Sequence, residues 1–388
     1  MMNEAVIVSA VRTAIGKVGG TLGRVKPHIY GAEVIKEVIQ RIDLDPNEIE
    51  DVIFGNCLNG GGAIARLCLL QAGLPMDVPG LTIDRQCGSG LNAVNLAAQA
   101  IMAGMGDVFV AGGTESCSLQ PYMMDHVDFT SKTPPNFRQG FQLSTDEIGN
   151  PPMGITAENL ADKYQISRQE QDEFALASQQ KMAKAQAEGL YKSQIVPMTV
   201  PAGKNKTVVF DTDEHPRETT MDTLAKLPPA FKKGGSVTAG NSSGLNDAAA
   251  AVVVMSAQRA KDLGLKPLAK VRTFAVSGVD PNIMGIGPVP ATEKALKKSG
   301  LSLKDIDLIE INEAFAAQTL ACDRELKMDM SKVNVNGGAI SHGHPIAATG
   351  AILTTKLVYE MNRRDVQFGL ITACIGGGQG IATIFERV

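Results

Sequence analysis

The sequence predicts an α/β protein made of two like halves with a long excursion inserted in the first. Three observations carry this. Short apolar runs alternate with helical stretches towards both ends of the chain. From Ser118 to about Gly235 the apolar periodicity weakens. Positions in the 44–54 stretch match in kind positions 257 residues further on.

Ala5–Ala10 (AVIVSA) reads as a buried strand, Gly31–Arg41 as a helix and Asp51–Asn56 as a short strand. Ala63–Gly73 is helical and ends at a glycine. Leu81–Gln86 is a strand, Leu91–Ala103 a helix and Asp107–Gly112 a strand. Such alternation favours parallel βαβ units. In the excursion, prolines stand at 134, 135, 151, 152, 228 and 229. One helix stands out, Ser167–Glu188, with Ser167 as N-cap, Glu170 completing a capping box and Gly189 after its end. An insertion this long is expected to cover a site. After GNSSGLND, Ala248–Met255 returns to a strand. Past Lys266-Pro267 come strands Asp307–Ile311, Ser331–Val335 and Gly369–Ala373, with a helical stretch from Ile346. The expected units are 1–117 plus 236–268, an excursion 118–235, and 269–388.

The repeat rests on Leu44/Leu301, Ile49/Ile306, Glu50/Asp307, Val52/Ile309 and Phe54/Ile311. The pattern implies duplication. The same offset carries Cys87 onto His344, each after a predicted strand and before a helix rich in small residues. Two packed halves would bring these corners together.

Composition bounds the function. Hydrophobic residues make up 44% of the 388 and charged residues 20%, with a net charge of −4. That is a globular composition, with nothing that suggests a nucleic-acid or membrane surface. The N-terminal stretch has no basic region leading into an apolar one, so no secretory signal is expected. Apolar stretches are glycine-broken and fall short of the roughly 20 residues of a membrane helix. Six irregularly spaced cysteines without a CxxC read as free thiols in a cytoplasmic protein.

IDRQCGSGLNAV sets Cys87 where a strand gives way to a helix. The unpaired N–H groups of a first helical turn stabilise a thiolate there and lower its pKa. They also offer a donor to a developing oxyanion. The same stretch fits a G-x-G-x-x-A dinucleotide pattern, a reading from another class, which leaves Cys87 unexplained. Asn312 in NEAFA, His344 in GGAISHGHP and Cys374 in CIGGGQG each follow a predicted strand. A Cys/His pair suits acyl transfer through a thioester, and a second cysteine suits acid/base work. Blander readings stand beside these: an N-cap for Asn312, core filler for Cys374, a turn for the glycines. His342 and His344 together suggest a metal, but no Asp, Glu or Cys nearby completes a ligand set.

The motifs IDRQCGSGLNAV, GNSSGLNDAAA, NEAFA, GGAISHGHPIAATG and CIGGGQGIA, in this order and together with AVRTAIGK, resemble the thiolase family over nearly the whole chain. Within the family, NEAFA together with the shape of the central region resembles the acetyl-CoA C-acetyltransferase type. The resemblance implies a duplicated five-layered α/β/α/β/α fold with a loop domain over the coenzyme A site, in a homodimer or homotetramer. It implies Cys87 as acyl-accepting nucleophile, His344 as its activator and Cys374 as the acid/base at the α-carbon. Asn312 would hold a water that forms one oxyanion hole with His344. The N–H groups of Cys87 and Gly376 would form another. Ser243 would touch pantetheine, Arg217 the phosphates, and Met153, Met284 and Phe315 the acyl group. The substrates implied are acetyl-CoA, acetoacetyl-CoA and CoA, with no metal or other cofactor. A thiolase for longer 3-ketoacyl-CoA chains is the alternative, and a catalytically dead CoA-binding scaffold a third reading. Departures from the family pattern at Gly61–Arg66, Pro152, His342 and Ala347-Ala348-Thr349 bear on acyl-chain preference and on the dimer contact. The second-histidine role of His342 is left open.

Overall fold

A computed structural model describes every residue except 1–2, 60, 61, 125, 127–129, 131–133, 138, 139 and 204. Gly61, at the head of the departure in the 61–66 stretch, therefore lies outside the described residues.

The first half contributes strands β1 (Ala5–Thr13), β2 (Asp51–Gly55), β3 (Gly80–Ile83), β4 (Val108–Ser116) and β5 (Asn246–Ser256). The second contributes β6 (Ala269–Gly278), β7 (Leu308–Ile311), β8 (Phe368–Ile375) and β9 (Gln379–Glu386). They run in the order β7-β8-β9-β6-β1-β5-β4-β2-β3. β2 lies parallel to β3 and β4, as β7 does to β8, while the strands flanking the junction are antiparallel. The halves are thus joined edge to edge, where Val6 and Ile7 of β1 face Lys270 and Ala269 of β6.

Helices fill three layers around these strands. Helix α1 (Pro27–Gln40) and helix α2 (Ile64–Ala72) cover one face of the first half, where Val34, Ile35 and Val38 pack with Val52, Val110 and Val253. Helix α3 (Ser89–Met102) lies between the halves with a second-half helix, Thr349–Arg364. Their apolar faces share one core with Ile7, Ile371 and Ile381. The outer face of the second half carries Pro288–Ser299 and Ala316–Leu326, through Ala291, Ala295 and Cys322. This is the five-layered arrangement. Each fully buried Leu, Ile or Val in these layers contributes about 1.5–3 kcal/mol. The excursion contributes helix α4 (Met153–Tyr164) and helix α5 (Arg168–Ala187). Ser167 caps α5 and Glu170 returns the bond, the expected capping box. The longer helices of the second half are then α6 (Pro288–Ser299), α7 (Ala316–Leu326) and α8 (Thr349–Arg364).

Two expectations need correction. Ser331–Val335 forms no strand, only an isolated bridge from Val333 to Ile309. Asn334, at φ +44, turns the chain away, and its amide occupies the place of a strand partner. Its Oδ1 accepts from the Ile311 N–H at 2.9 Å and its Nδ2 donates to the Ile311 carbonyl at 2.9 Å. The repeat offset also changes along the chain. β2 and β7 start 257 residues apart (51 and 308). The turns Gln86–Gly88 and Ile346–Ala348, and the helices α3 and α8 after them, start 260 apart (86 and 346; 89 and 349). The positional counterpart of Cys87 is therefore Ala347, and His344 stands three residues ahead of it. Gly90 and Gly350 are equivalent on the 260 offset. A Cβ on Gly90 would lie 2.7 Å from the Ala347 carbonyl, and one on Gly350 2.1 Å from the Leu91 nitrogen. Only glycine lets the two central helices approach this closely.

Candidate active site

Cys87 occupies the short turn between β3 and α3. Gln86 just before it has φ +46, a left-handed conformation that costs a non-glycine residue about 1 kcal/mol. Asp84 holds it there, accepting from the Gln86 N–H at 2.8 Å and from its Nε2 at 3.1 Å. Gly88 lets the turn lie against the end of β8, since a Cβ there would stand 2.6 Å from Ile375 Cδ1. The Gly376 N–H, one residue further, points at the Cys87 sulfur.

His344 Nε2 lies 3.2 Å from Cys87 Sγ. The Gly343 φ of +99 turns the chain into this position. The His344 N–H donates to Asn246 Oδ1 at 3.0 Å, and its Nδ1 meets Thr349 Oγ1 at 2.7 Å. An imidazole that accepts the Cys87 proton on Nε2 must carry a proton on Nδ1, and Thr349 Oγ1 is placed to accept that hydrogen bond.

The electrostatics overturn one expectation. The helix start does not give Cys87 a low pKa. Burial pushes the thiol up to about 11, against the downward pull of the Gly376 and Cys87 N–H groups, and the Glu115 and Asp84 carboxylates add to the rise. Burial also lowers His344 to about 4. At neutral pH the resting pair is thiol and neutral imidazole, not an ion pair.

Cys374 is fully buried near the end of β8 and held well above the usual thiol range, by burial first and then by its neighbour Cys87. It shares an apolar cluster with Met284, Ala314 and Phe315, against which the half-buried Met153 packs. Phe315 stacks edge-on against Phe231 with centroids 6.0 Å apart. Met153 and Leu143 both reach the Gly376 turn, where a Cβ would come 3.5 Å from Met153 Sδ and 2.8 Å from Leu143 Cδ1. Asn312 is wholly buried, yet neither its Oδ1 nor its Nδ2 has a hydrogen-bond partner. A buried amide with both ends open is suited to hold a water or a ligand atom.

Ser243 is half-buried, and its N–H bonds the Ala314 carbonyl at 3.0 Å, tying GNSSG to NEAFA. Arg217 is exposed and stands elsewhere. It lines an open cavity of about 610 Å³ with Gln179, Gln186 and Thr220, and its Nη2 donates to the Ala239 carbonyl at 2.9 Å. His342 is buried with Nδ1 2.9 Å from the Gly343 carbonyl and Nε2 unpartnered. Burial and the positive charges of Lys356 and Arg12 keep it neutral, which also disfavours a cation there.

Four residues that frame the site were not expected as site residues, although Asn246, Thr349 and Glu313 lie inside the quoted motifs. Besides Asn246 and Thr349, the buried Glu115 at the end of β4 spans both halves. Its carboxylate accepts from the Leu58 N–H at 3.0 Å and the Ala347 N–H at 3.1 Å. Glu313 does the same for the GGAIS stretch, accepting from the Ile340 N–H at 3.1 Å and from Asn334 Nδ2 at 2.7 Å.

A family model for the thiolase N-terminal domain matches residues 5–258, and one for the thiolase C-terminal domain matches 265–387. The chain belongs to the thiolase family. This thiolase is 50% identical to an acetyl-CoA acetyltransferase of Syntrophomonas wolfei, over all of both chains. Its fold superposes on the crystal structure of the Bacillus anthracis acetyl-CoA acetyltransferase with a TM-score of 0.96, at 46% identity, covering 100% of this chain and 99% of the other. The human mitochondrial 3-ketoacyl-CoA thiolase in complex with CoA gives 0.93 at 42% identity, covering 100% and 98%. Among the described residues of this thiolase, no three His, Cys, Asp or Glu side chains gather as metal ligands, and no helix is long and apolar enough to cross a membrane.

Proposed function

We propose that this thiolase is an acetyl-CoA C-acetyltransferase, condensing two acetyl-CoA into acetoacetyl-CoA and CoA and running the reverse thiolysis. The observation that carries this reading is the 3.2 Å contact between Cys87 Sγ and His344 Nε2, with the buried Cys374 thiol as a neighbour of Cys87; the unpartnered Asn312 amide is read as part of the same site.

In the first half-reaction the Cys87 thiol gives its proton to His344 Nε2 as its sulfur bonds the thioester carbonyl carbon. The tetrahedral oxyanion is met by a water held on Asn312 together with His344. Collapse breaks the bond to the CoA sulfur and leaves an acetyl group on Cys87. In the second, Cys374 as thiolate takes an α-proton from another acetyl-CoA. The carbanion attacks the acetyl carbonyl, whose oxyanion rests on the Cys87 and Gly376 N–H groups. Cys87 then leaves as thiolate and regains a proton from His344. A resting thiol at Cys374 matches the reverse direction, where it protonates the acetyl-CoA carbanion. In condensation its proton passes first to the departing CoA thiolate.

Ser243 contacts the pantetheine arm in this reading, and Arg217 meets the CoA phosphates where the 118–235 excursion covers the cofactor-sized substrate. Met153, Met284 and Phe315 crowd the acyl group. CoA thioesters are the substrates and no further cofactor is invoked. A homodimer or tetramer is supported by exposed Leu67, Leu70, Met76 and Leu81 on and around α2 and the edge strand β3. Six free cysteines fit a cytoplasmic setting. The longer-chain alternative is less well supported, because the chain is more similar to acetyl-CoA acetyltransferases than to the 3-ketoacyl-CoA thiolase. The test is thiolysis of 3-ketoacyl-CoA substrates of increasing chain length. The rate should be highest for acetoacetyl-CoA and fall as the chain grows. A flat or rising profile would refute the short-chain assignment.

A further inference from the structure

His215 took no part in the reading above, yet it touches the support of the catalytic histidine. It lies on the 211–220 stretch of the excursion, two residues before Arg217. Its neighbours fix that stretch to the first half. Asp213 takes both Nη atoms of the buried Arg12, at 2.7 and 2.9 Å, and the Ile15 N–H at 2.8 Å. The Glu214 N–H donates to the Ile15 carbonyl at 3.0 Å, and its carboxylate accepts from the Lys17 N–H at 3.0 Å. Arg217 donates its N–H to Gln179 Oε1 at 3.1 Å, and Gln179 Nε2 donates to the Ile340 carbonyl at 3.1 Å.

Held this way, the His215 ring fills the space over Gly244. A Cβ on Gly244 would lie 2.1 Å from its Cε1. Its Nδ1 lies 3.4 Å from Asn246 Nδ2, and the Ile340 carbonyl also faces the ring. Asn246 is the residue whose Oδ1 accepts the His344 N–H. Its Nδ2 donates to the Gly16 carbonyl at 2.9 Å. The second Nδ2 hydrogen has His215 Nδ1 as its acceptor, provided the ring is neutral with Nδ1 unprotonated. Desolvation first, then the positive charges of Arg217 and Lys17, lower His215 to about 4, which keeps the ring neutral; the acceptor role belongs to the tautomer with its proton on Nε2, a buried nitrogen without a hydrogen-bond partner of its own. In that tautomer both amide hydrogens are engaged, so His215 adds to the Gly16 carbonyl and the His344 N–H in holding the Asn246 carboxamide in place.

We infer that His215 is a positioning residue. Acting through Asn246, it orients His344 against Cys87, so that the segment leading to Arg217 and the catalytic corner are set as one unit. The inference rests on the reading of His344 as the group that activates Cys87.

The test compares H215F, which keeps a ring but no acceptor, with H215N, whose Oδ1 restores an acceptor near the Nδ1 position. Two readouts are needed: acetoacetyl-CoA thiolysis with varied CoA, and alkylation of Cys87 by iodoacetamide in the absence of any CoA compound. Loss of one neutral hydrogen bond in the support predicts a fall of about five- to tenfold in kcat for H215F. KM for CoA should stay within about twofold, alkylation should slow in step with kcat, and H215N should recover most of the loss. An H215F enzyme with unchanged kcat overturns the inference. So does one in which KM for CoA rises alone, which would make His215 a substrate contact, or a loss in H215F that H215N fails to recover. H344A separates the two readings. If H344A alkylates and turns over like the wild type, the role of His344 itself fails; if H344A is inactive while H215F is normal, only the positioning role fails.

Discussion

Thr349→Val removes one oxygen next to His344, the proposed activator of Cys87, and keeps the side-chain shape. Thr349 Oγ1 stands 2.7 Å from His344 Nδ1, in a buried position. While the imidazole is neutral, losing this partner leaves one N–H unsatisfied. When Nε2 takes the Cys87 proton the ring becomes a cation, and the lost acceptor then served a charged donor. Hydrogen bonds to charged groups contribute about 1.5–3 kcal/mol. Part of this is already lost in the ground state, so about 1–2 kcal/mol of differential stabilisation remains, or roughly five- to thirtyfold in kcat. Acetoacetyl-CoA thiolysis, followed by loss of the substrate's enolate absorbance, reads this directly. KM should move little, because Thr349 faces His344 and not the substrate. Thr349→Ser keeps the hydroxyl and should retain most of the activity. A Thr349→Val enzyme within twofold of wild type would refute the argument that Nδ1 must hold a proton against this hydroxyl.

Three further outcomes are expected. Cys374→Ser should still accept an acetyl group on Cys87 but lose condensation by several orders of magnitude, because a hydroxyl is far too weak an acid to serve as a thiolate base; single-turnover acetylation against steady-state condensation separates the steps. Iodoacetamide should react with the free enzyme at a rate that keeps rising with pH from 6 towards 10, since the Cys87 thiol is pushed up to about 11; a plateau already reached near pH 6 would mean a preformed thiolate–imidazolium pair. Glu115, raised by burial from 4.5 to about 7, binds its proton more tightly when folded, so its ionisation costs stability as pH rises. The wild type should lose about 3 kcal/mol relative to Glu115→Gln between pH 4.5 and 7.5, read from denaturation midpoints at each pH; parallel pH curves would contradict it.

Much of the fold was legible because alternating apolar runs survive in buried strands and in helices with one apolar face. Cys87, His344, Cys374 and Asn312 were legible through the motifs around them: Asn312 directly follows β7, Cys374 stands near the end of β8, and Cys87 and His344 lie in turns bordered by glycines. The pairing of Cys87 with His344 was foreseen through an offset of 257, and the two do meet, but not as repeat equivalents. Short apolar matches fix register only within a strand. The path from β7 to α8 is three residues longer than its counterpart, and His344 precedes the turn that corresponds to Cys87. Ser331–Val335 had the pattern of a strand, but the side chain of Asn334 supplies the pairing to Ile311, a substitution of amide for backbone that a hydrophobic pattern does not record. The thiol pKa was misjudged because a helix terminus is visible in sequence, whereas the depth of burial and the carboxylates of Glu115 and Asp84 belong to the assembled fold. Asn246 and Glu115 act through contacts between distant segments, and Thr349 meets His344 through the turn between them; lying inside or near a motif did not reveal these roles.

The central claim is that the acyl group passes through Cys87. Brief incubation with acetyl-CoA, acid quenching and peptide mapping by mass spectrometry test it most directly. One acetyl group should be found, on the peptide containing Cys87, sensitive to hydroxylamine as a thioester and absent from Cys87→Ser. An acetyl thioester mapped to Cys374 or Cys57, or a stable thioester adduct persisting in Cys87→Ser, would contradict the account.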